Sequence, residues 1–263
     1  MTKSFADIKN LNPQKVGLGT GLTGVVGQAR NLAMSLATAG TTATWTADEL
    51  ITETAMGGTQ YKQSNLTLPI DLSIVGAGGV DIAGTVPTNG YLATYAISGP
   101  GKTPAALGCN ATTAAAPEVY AGGAMPAGYT ASALISVWRI VNGQFIAGRQ
   151  KGRRIRFLPF MVLASSIQAA AFTSLNLSAC VPQNAKFVSG YGNPNISGTG
   201  YNTNMALAST AEGIGAQIIG CGGAAIVSPF SDLEVAISQT IYYTLTSSTS
   251  LQTSYIYVSG YEF

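Results

Sequence analysis

From Asn31 onward, apolar and polar positions alternate with a period of two, the spacing that puts successive side chains on opposite faces of a strand. Leu32, Met34 and Leu36 alternate with Ala33, Ser35 and Ala37. Residues 43–46 and 50–54 flank Ala47-Asp48-Glu49 and read as two strands joined by a turn. Further strands are expected over 65–75 and 90–98, with the glycine-rich stretch 76–84 between them as a tight loop. Asn142-Gly143 lies between apolar, β-prone runs over 130–141 and 144–163, the strongest short-range hairpin signal, because both central residues of a type I′ turn need positive φ. A long β-ribbon centred on that pair is therefore expected. Leu175, Leu177, Ala179 and Val181 alternate with Asn176, Ser178 and Cys180 as one more strand.

Residues 1–28 do not share this pattern. They hold Lys3, Lys9 and Lys15 and then a glycine-rich run in which Gly19, Gly21 and Gly24 satisfy the G-x-G-x-x-G spacing. That spacing carries a dinucleotide only after a strand and inside a βαβ unit. The preceding Asn10-Leu11-Asn12-Pro13-Gln14-Lys15 is no strand, so the segment reads as an attachment or interchain element. The remainder divides at about residue 163 into a domain over 29–163 and a second β-rich half over 164–263.

Composition narrows the chemistry. Among 263 residues there is no histidine. Ser-His-Asp and Cys-His catalysis and His-ligated zinc are thereby excluded within one chain. Cys109, Cys180 and Cys221 are far apart and odd in number, which suits buried thiols in a reducing cytoplasm rather than a disulfide framework. The opening Met1-Thr2-Lys3-Ser4-Phe5-Ala6-Asp7 has no apolar core of a signal peptide. Charged residues make up 9% of the chain, against about 25% in ordinary soluble domains. Much of the surface must then be Thr, Ser, Asn, Gln and Gly, or lie in contacts between subunits. A net charge of +2 does not describe a nucleic-acid binder. The uncharged window 157–185 has a basic flank, but its polar interior and its alternation argue against membrane insertion.

A set of short motifs in fixed order resembles a family. Ala47-Asp48-Glu49, the loop Gly76-Ala77-Gly78-Gly79-Val80-Asp81, residues 91–97, Met125-Pro126-Ala127-Gly128-Tyr129 and Leu158-Pro159-Phe160 are followed by residues 175–182, Gln239-Thr240-Ile241-Tyr242-Tyr243 and the terminal Val258-Ser259-Gly260-Tyr261-Glu262-Phe263. This order is similar to tailed-phage and prophage tail fibre or receptor-binding proteins, over residues 29–263. The resemblance implies antiparallel β-sandwich modules of jelly-roll type assembled as a homotrimer. It also implies a virion protein of the phage tail, assembled in the host cytoplasm, that recognises the host surface without catalysis and without a cofactor. Two further readings stand beside it: a structural baseplate or fibre-collar component contacting other tail proteins, and a polysaccharide depolymerase.

Candidate sites follow. Five of the thirteen Lys and Arg residues, Arg149, Lys151, Arg153, Arg154 and Arg156, fall within eight positions. By parity Arg149, Lys151 and Arg153 share one face of a strand and Arg154 and Arg156 the other. The first set would bind anionic glycan or lipopolysaccharide phosphates, dock an acidic tail partner, or protect a sheet edge. A loop over 191–204, with Tyr191, Asn193, Asn195, Tyr201 and Asn202, combines rigid aromatic area with adaptable hydrogen bonds and is the candidate sugar contact. Asp232 and Glu234, two apart on an expected strand over 233–237, would stand about 6.6 Å apart, the separation a glycosidase uses, although any two acids on a strand share it. Asp81 is expected as a turn aspartate bonding its own backbone, in a neighbourhood too acid-poor for calcium.

Overall fold

The computed structural model describes residues 24–81, 86–195, 202–222, 227–248 and 251–263. Every regular element among them is a strand, as the period-two pattern predicts. In chain order these are β1 (Ala29–Arg30), β2 (Ala33–Leu36), β3 (Thr42–Glu53), β4 (Gln60–Asp71), β5 (Gly79–Val80), β6 (Asn89–Ser98), β7 (Ala105–Asn110), β8 (Ala131–Val141) and β9 (Gln144–Phe145). There follow β10 (Gly148–Lys151), β11 (Arg154–Ser165), β12 (Ala169–Asn176), β13 (Phe187–Asn193), β14 (Thr203–Ala208), β15 (Gln217–Gly222), β16 (Ser228–Glu234), β17 (Thr240–Ser247) and β18 (Ser254–Glu262). One large sheet runs β16-β13-β18-β11-β10-β2-β3-β8-β6-β7-β5, with β1, β4 and β9 paired off that path, and a second runs β12-β17-β14-β15.

Strands β18 and β8 are not neighbours in the large sheet, yet the Tyr261 hydroxyl of β18 donates to the Val137 carbonyl of β8 at 2.6 Å. The sheet must therefore turn back so that its β8 limb faces its β10–β18 limb. Between the limbs lie Trp45, Trp138, Phe145, Ile155 and Tyr261, all buried. Gln150 of β10 ties them together at 3% exposure. Its Oε1 accepts from Trp45 Nε1 at 2.9 Å and from the Ser136 hydroxyl at 2.8 Å. Its Nε2 donates to the carbonyls of Ile135 at 2.6 Å and Gly152 at 2.8 Å. A buried amide with its oxygen and both its N–H groups engaged fixes where β10 sits against β8 and β3.

Several sequence expectations are corrected. Asp48 and Glu49 do not turn the chain, since β3 runs straight through them. Their side chains point outward, Asp48 accepting from Asn31 at 2.6 Å and Glu49 from Lys62 at 2.9 Å. The turn-like composition was only an exposed stretch of strand. The hairpin at Asn142-Gly143 forms, with φ of 52° and 70°, but its second arm leaves β8 after two residues, so no long ribbon exists. Strand β12 ends at Asn176, and residues 177–181 form a turn with the Cys180 and Val181 amides on the Leu177 carbonyl. Among the described residues no helix is long and apolar enough to cross a membrane. The G-x-G-x-x-G glycines at 19 and 21 and nearly all of segment 1–28 lie outside the described residues.

In the glycine loop, Gly76 and Gly78 take φ of 98° and 84°. A Cβ on Gly79 would stand 2.1 Å from the Ile74 carbonyl oxygen, which is why side chains are absent there.

Candidate functional site on the outer face of β10, β11, β18 and β13

The basic residues sit on a hairpin that the sequence reading missed. Lys151 pairs with Arg154, so Gly152-Arg153 is a two-residue loop, and Gly152 has φ of 58°. Glycine at the first central position followed by any residue is the signature of a type II′ turn. That Gly-x signal was present in the sequence and would have revealed the register.

The register reverses the predicted grouping. Arg149 stands opposite Arg156 and Lys151 opposite Arg154. Directly paired residues point to the same face, so these four form one outward cluster while Gln150 and Ile155 point inward. Arg153, in the turn, is committed elsewhere. Its guanidinium makes a bidentate pair with Glu118, Nη1 to Oε1 at 2.7 Å and Nη2 to Oε2, and lies 5.3 Å from the Phe263 ring centroid. Arg153 is thus spent on a structural ion pair and does not share the row with Arg149 and Lys151.

Arg154 extends across the sheet. Its Nη2 contacts Glu262 Oε2 of β18 at 2.8 Å and Asp232 Oδ1 of β16 at 2.9 Å, and the bond to Glu262 is the main reason its charge is held more firmly than usual. Asp232 projects from a bulge, with φ of 52°, between the pairs Val188↔Leu233 and Gly190↔Phe230. Asp232 and Glu234, whose spacing any two acids on a strand share, do not stand as a pair on one continuous strand face. Strand β16 ends at Glu234 rather than continuing to 237, and Arg154 Nη2 fills the space between Asp232 and its actual neighbour, Glu262.

Arg149, Lys151 and Arg156 make no ion pair among the described residues. The pair Arg149–Arg156 is therefore a like-charge cross-strand contact without compensation, which destabilises a sheet by a few tenths of a kcal/mol or more. These side chains line a groove of about 710 Å³ together with Asn31, Ala33 and Glu262.

The same face carries the aromatic candidates. Arg149 pairs with Arg156, Arg156 with Gly260 and Gly260 with Ser189, so the row crosses three strand steps, about 14 Å, to β13. Tyr191 and Asn193 follow Ser189 at intervals of two and share its face. Tyr191 stacks on Tyr257, with centroids 4.8 Å apart and planes at 20°, and Tyr255 lies 6.2 Å further along β18. Met161 is paired with Tyr257 and is 47% exposed. The predicted loop 191–204 is therefore part strand. Residues 191–193 belong to β13 and 203–204 to β14, Tyr201 lies outside the described residues, and Asn195 and Asn202 are anchored through their backbone amides to Ser254 Oγ at 2.9 Å and Ser248 Oγ at 3.0 Å.

Asp81 is not a surface turn residue. It is 6% exposed, its Oδ2 accepts from the Tyr120 hydroxyl at 2.7 Å, and its Oδ1 has no hydrogen-bond partner among the described residues. The self-bonding turn aspartate is Asp71, which accepts from the Ser73 amide and hydroxyl at 2.8 and 2.7 Å. No group of three or more metal-ligating side chains occurs among the described residues.

Burial first, then the nearby Asp81 carboxylate, push the Cys109 thiol up to about 12, and burial pushes Cys180 up to about 12 against a smaller downward pull from Arg139. At pH 8 roughly one molecule in ten thousand then carries either thiolate. Both cysteines are expected to resist iodoacetamide at pH 8 in the native protein and to label within minutes in urea. Native labelling at the rate of a free thiol, located by mass spectrometry, would contradict the burial. Searches of protein-family models, of curated proteins and of solved structures found no match to this chain.

Proposed function

We propose that this chain is a tailed-phage virion protein that recognises an anionic glycan of the host surface without chemistry, as the order of motifs over residues 29–263 implies. The carrying observation is the outer face of β10–β11–β18–β13, which carries Arg149, Lys151 and Arg156, without an ion pair among the described residues, and, three strands across, the Tyr191–Tyr257 stack. Guanidinium groups fork onto carboxylate or phosphate oxygens, and aromatic faces pack against sugar rings. The chain is charged at only 9% overall, so three cations on one face without an ion pair among the described residues are a local specialisation.

In this reading the opposed limbs of the large sheet form an antiparallel sandwich of jelly-roll type, and three copies associate. Association would cover the exposed side chains of Leu158 (78%), Ile167 (76%) and Ile218 (78%). The same observation favours a second role as a structural baseplate or collar component. Residues 1–28 would attach the chain to other tail proteins.

The test is the triple variant Arg149→Ser, Lys151→Ser, Arg156→Ser. Retention on immobilised anionic lipopolysaccharide and on host cells is expected to fall by about tenfold or more, with the wild-type binding itself weakening as salt rises. Unchanged retention with a normal melting curve would remove the outer face from recognition. Failure of the variant to assemble into virions, with purified-protein binding intact, would transfer the cluster to the structural role.

A further inference from the structure

A second cleft lies on the β6–β8 limb. Arg139 of β8 is paired with Tyr91 of β6 and is half-buried, with its guanidinium carbon 4.6 Å from the Phe160 ring centroid. Its N–H groups have no hydrogen-bond or ion-pair acceptor among the described residues. It opens on a cleft of about 410 Å³ lined by Asn89, Tyr91, Thr112, Ser178 and Gln239. No carboxylate lines that cleft.

The walls are held, and most of their acceptors are used. The Tyr91 hydroxyl donates to the Ser178 carbonyl at 2.8 Å, the Asn142 amide donates to Asn89 Oδ1 at 3.2 Å, and the Tyr91 amide donates to Thr112 Oγ1 at 3.1 Å. Gln239, in the left-handed region with φ of 56°, donates through Nε2 to the Val181 carbonyl at 2.7 Å, and its own carbonyl accepts from the Leu177 amide at 2.8 Å. Arg139 and Asn89 Nδ2 remain as donors on the cleft lining, and the Thr112 and Ser178 hydroxyls can both donate and accept. A non-glycine residue held at positive φ is strain that the surrounding turn must over-determine.

We infer that this cleft binds the carboxylate of a hydroxylated organic acid of monosaccharide size, a hexuronate end group or residue. One guanidinium matches one negative charge in bidentate fashion, and the neutral donors suit ring hydroxyls rather than a second or third charge. The volume falls in the range of small-ligand pockets. The inference stands apart from the outer basic face, because Arg139 lies on β8 and the groove residues on β10 and β11.

The experiment is saturation-transfer NMR and calorimetry on the full chain with glucuronate, glucose and inorganic phosphate as probes. Glucuronate is expected to bind, glucose to bind at least tenfold more weakly, and Arg139→Gln to reduce glucuronate affinity by about tenfold or more. The triple variant at Arg149, Lys151 and Arg156 is expected to leave it unchanged. Should loss of the Phe160 contact unfold Arg139→Gln, the pair Ser178→Ala and Asn89→Ala keeps the guanidinium and is expected to lower affinity severalfold. Equal binding of glucose and glucuronate, stronger binding of phosphate, or affinity indifferent to these variants would overturn the assignment.

Discussion

Replacing Gln150 by Leu is expected to lower the stability of this protein by about 3–5 kcal/mol, because each buried polar group left without a partner costs about 1–3 kcal/mol. The substitution conserves volume and strips the hydrogen bonds from Trp45 Nε1, the Ser136 hydroxyl and the carbonyls of Ile135 and Gly152. These groups belong to β3, β8 and the turn after β10, so the loss is not local. The β10–β11 hairpin would lose its anchor, and the glycan retention proposed for Arg149 and Arg156 should fall together with the urea midpoint. Tryptophan fluorescence would report the change at Trp45 directly. A shift in unfolding free energy below about 1 kcal/mol would show that the network is dispensable.

Gly190→Ala is the second large effect. A Cβ there would stand 1.9 Å from the Tyr257 carbonyl oxygen and 2.9 Å from the Phe230 ring. Strand β13 is hydrogen-bonded on both edges, to β18 and to β16, so the backbone has nowhere to move. The expected cost is about 3 kcal/mol or more, at or beyond the top of the usual range for overpacking. The clash falls on the residue next to Tyr191 and on its stacking partner, so the Tyr191–Tyr257 stack should separate as well. Gly123→Ala is the matched control, since nothing lies within 4 Å of a Cβ at that site and its φ is not positive. Its melting curve should overlay the wild type. Parity between the two variants would mean that β13 and β18 can separate without penalty.

The contrast between these two sites and the basic cluster shows where the sequence was readable. Gly190 and Gln150 carry no local signal. One is a glycine between Ser189 and Tyr191, the other a polar residue between two cations, and only facing strands give them meaning. The cations themselves were conspicuous, yet their grouping was misread, because parity counted through Gly152 and Arg153 treats a turn as strand. A two-residue turn reverses the chain and brings residues of opposite parity in sequence to one face, so Arg149 joins Arg156 and leaves Arg153 behind. The acids were misjudged for a related reason. Asp48 and Glu49 looked like a turn, and Asp232 was placed on a regular strand with Glu234, but partners far along the chain, Asn31, Lys62 and Arg154, set their roles.

Short-range physics was enough for the strand character around 33–36, 60–71, 89–98 and 131–141, the type I′ turn at Asn142-Gly143 and the glycine loop before Asp81. Each depends on one residue's backbone preference or on an alternation that spans a few positions. Which faces meet is a different matter. Strands pair across long sequence separations, and a one-residue bulge, as at Ser259 or Asp232, moves every later side chain to the other face. The common face of the basic hairpin and the tyrosine stack, the burial of Asp81, and the placing of Arg139 over Phe160 beside a polar cleft all follow from register and from the closure of the large sheet, and so they emerged only once the chain was folded.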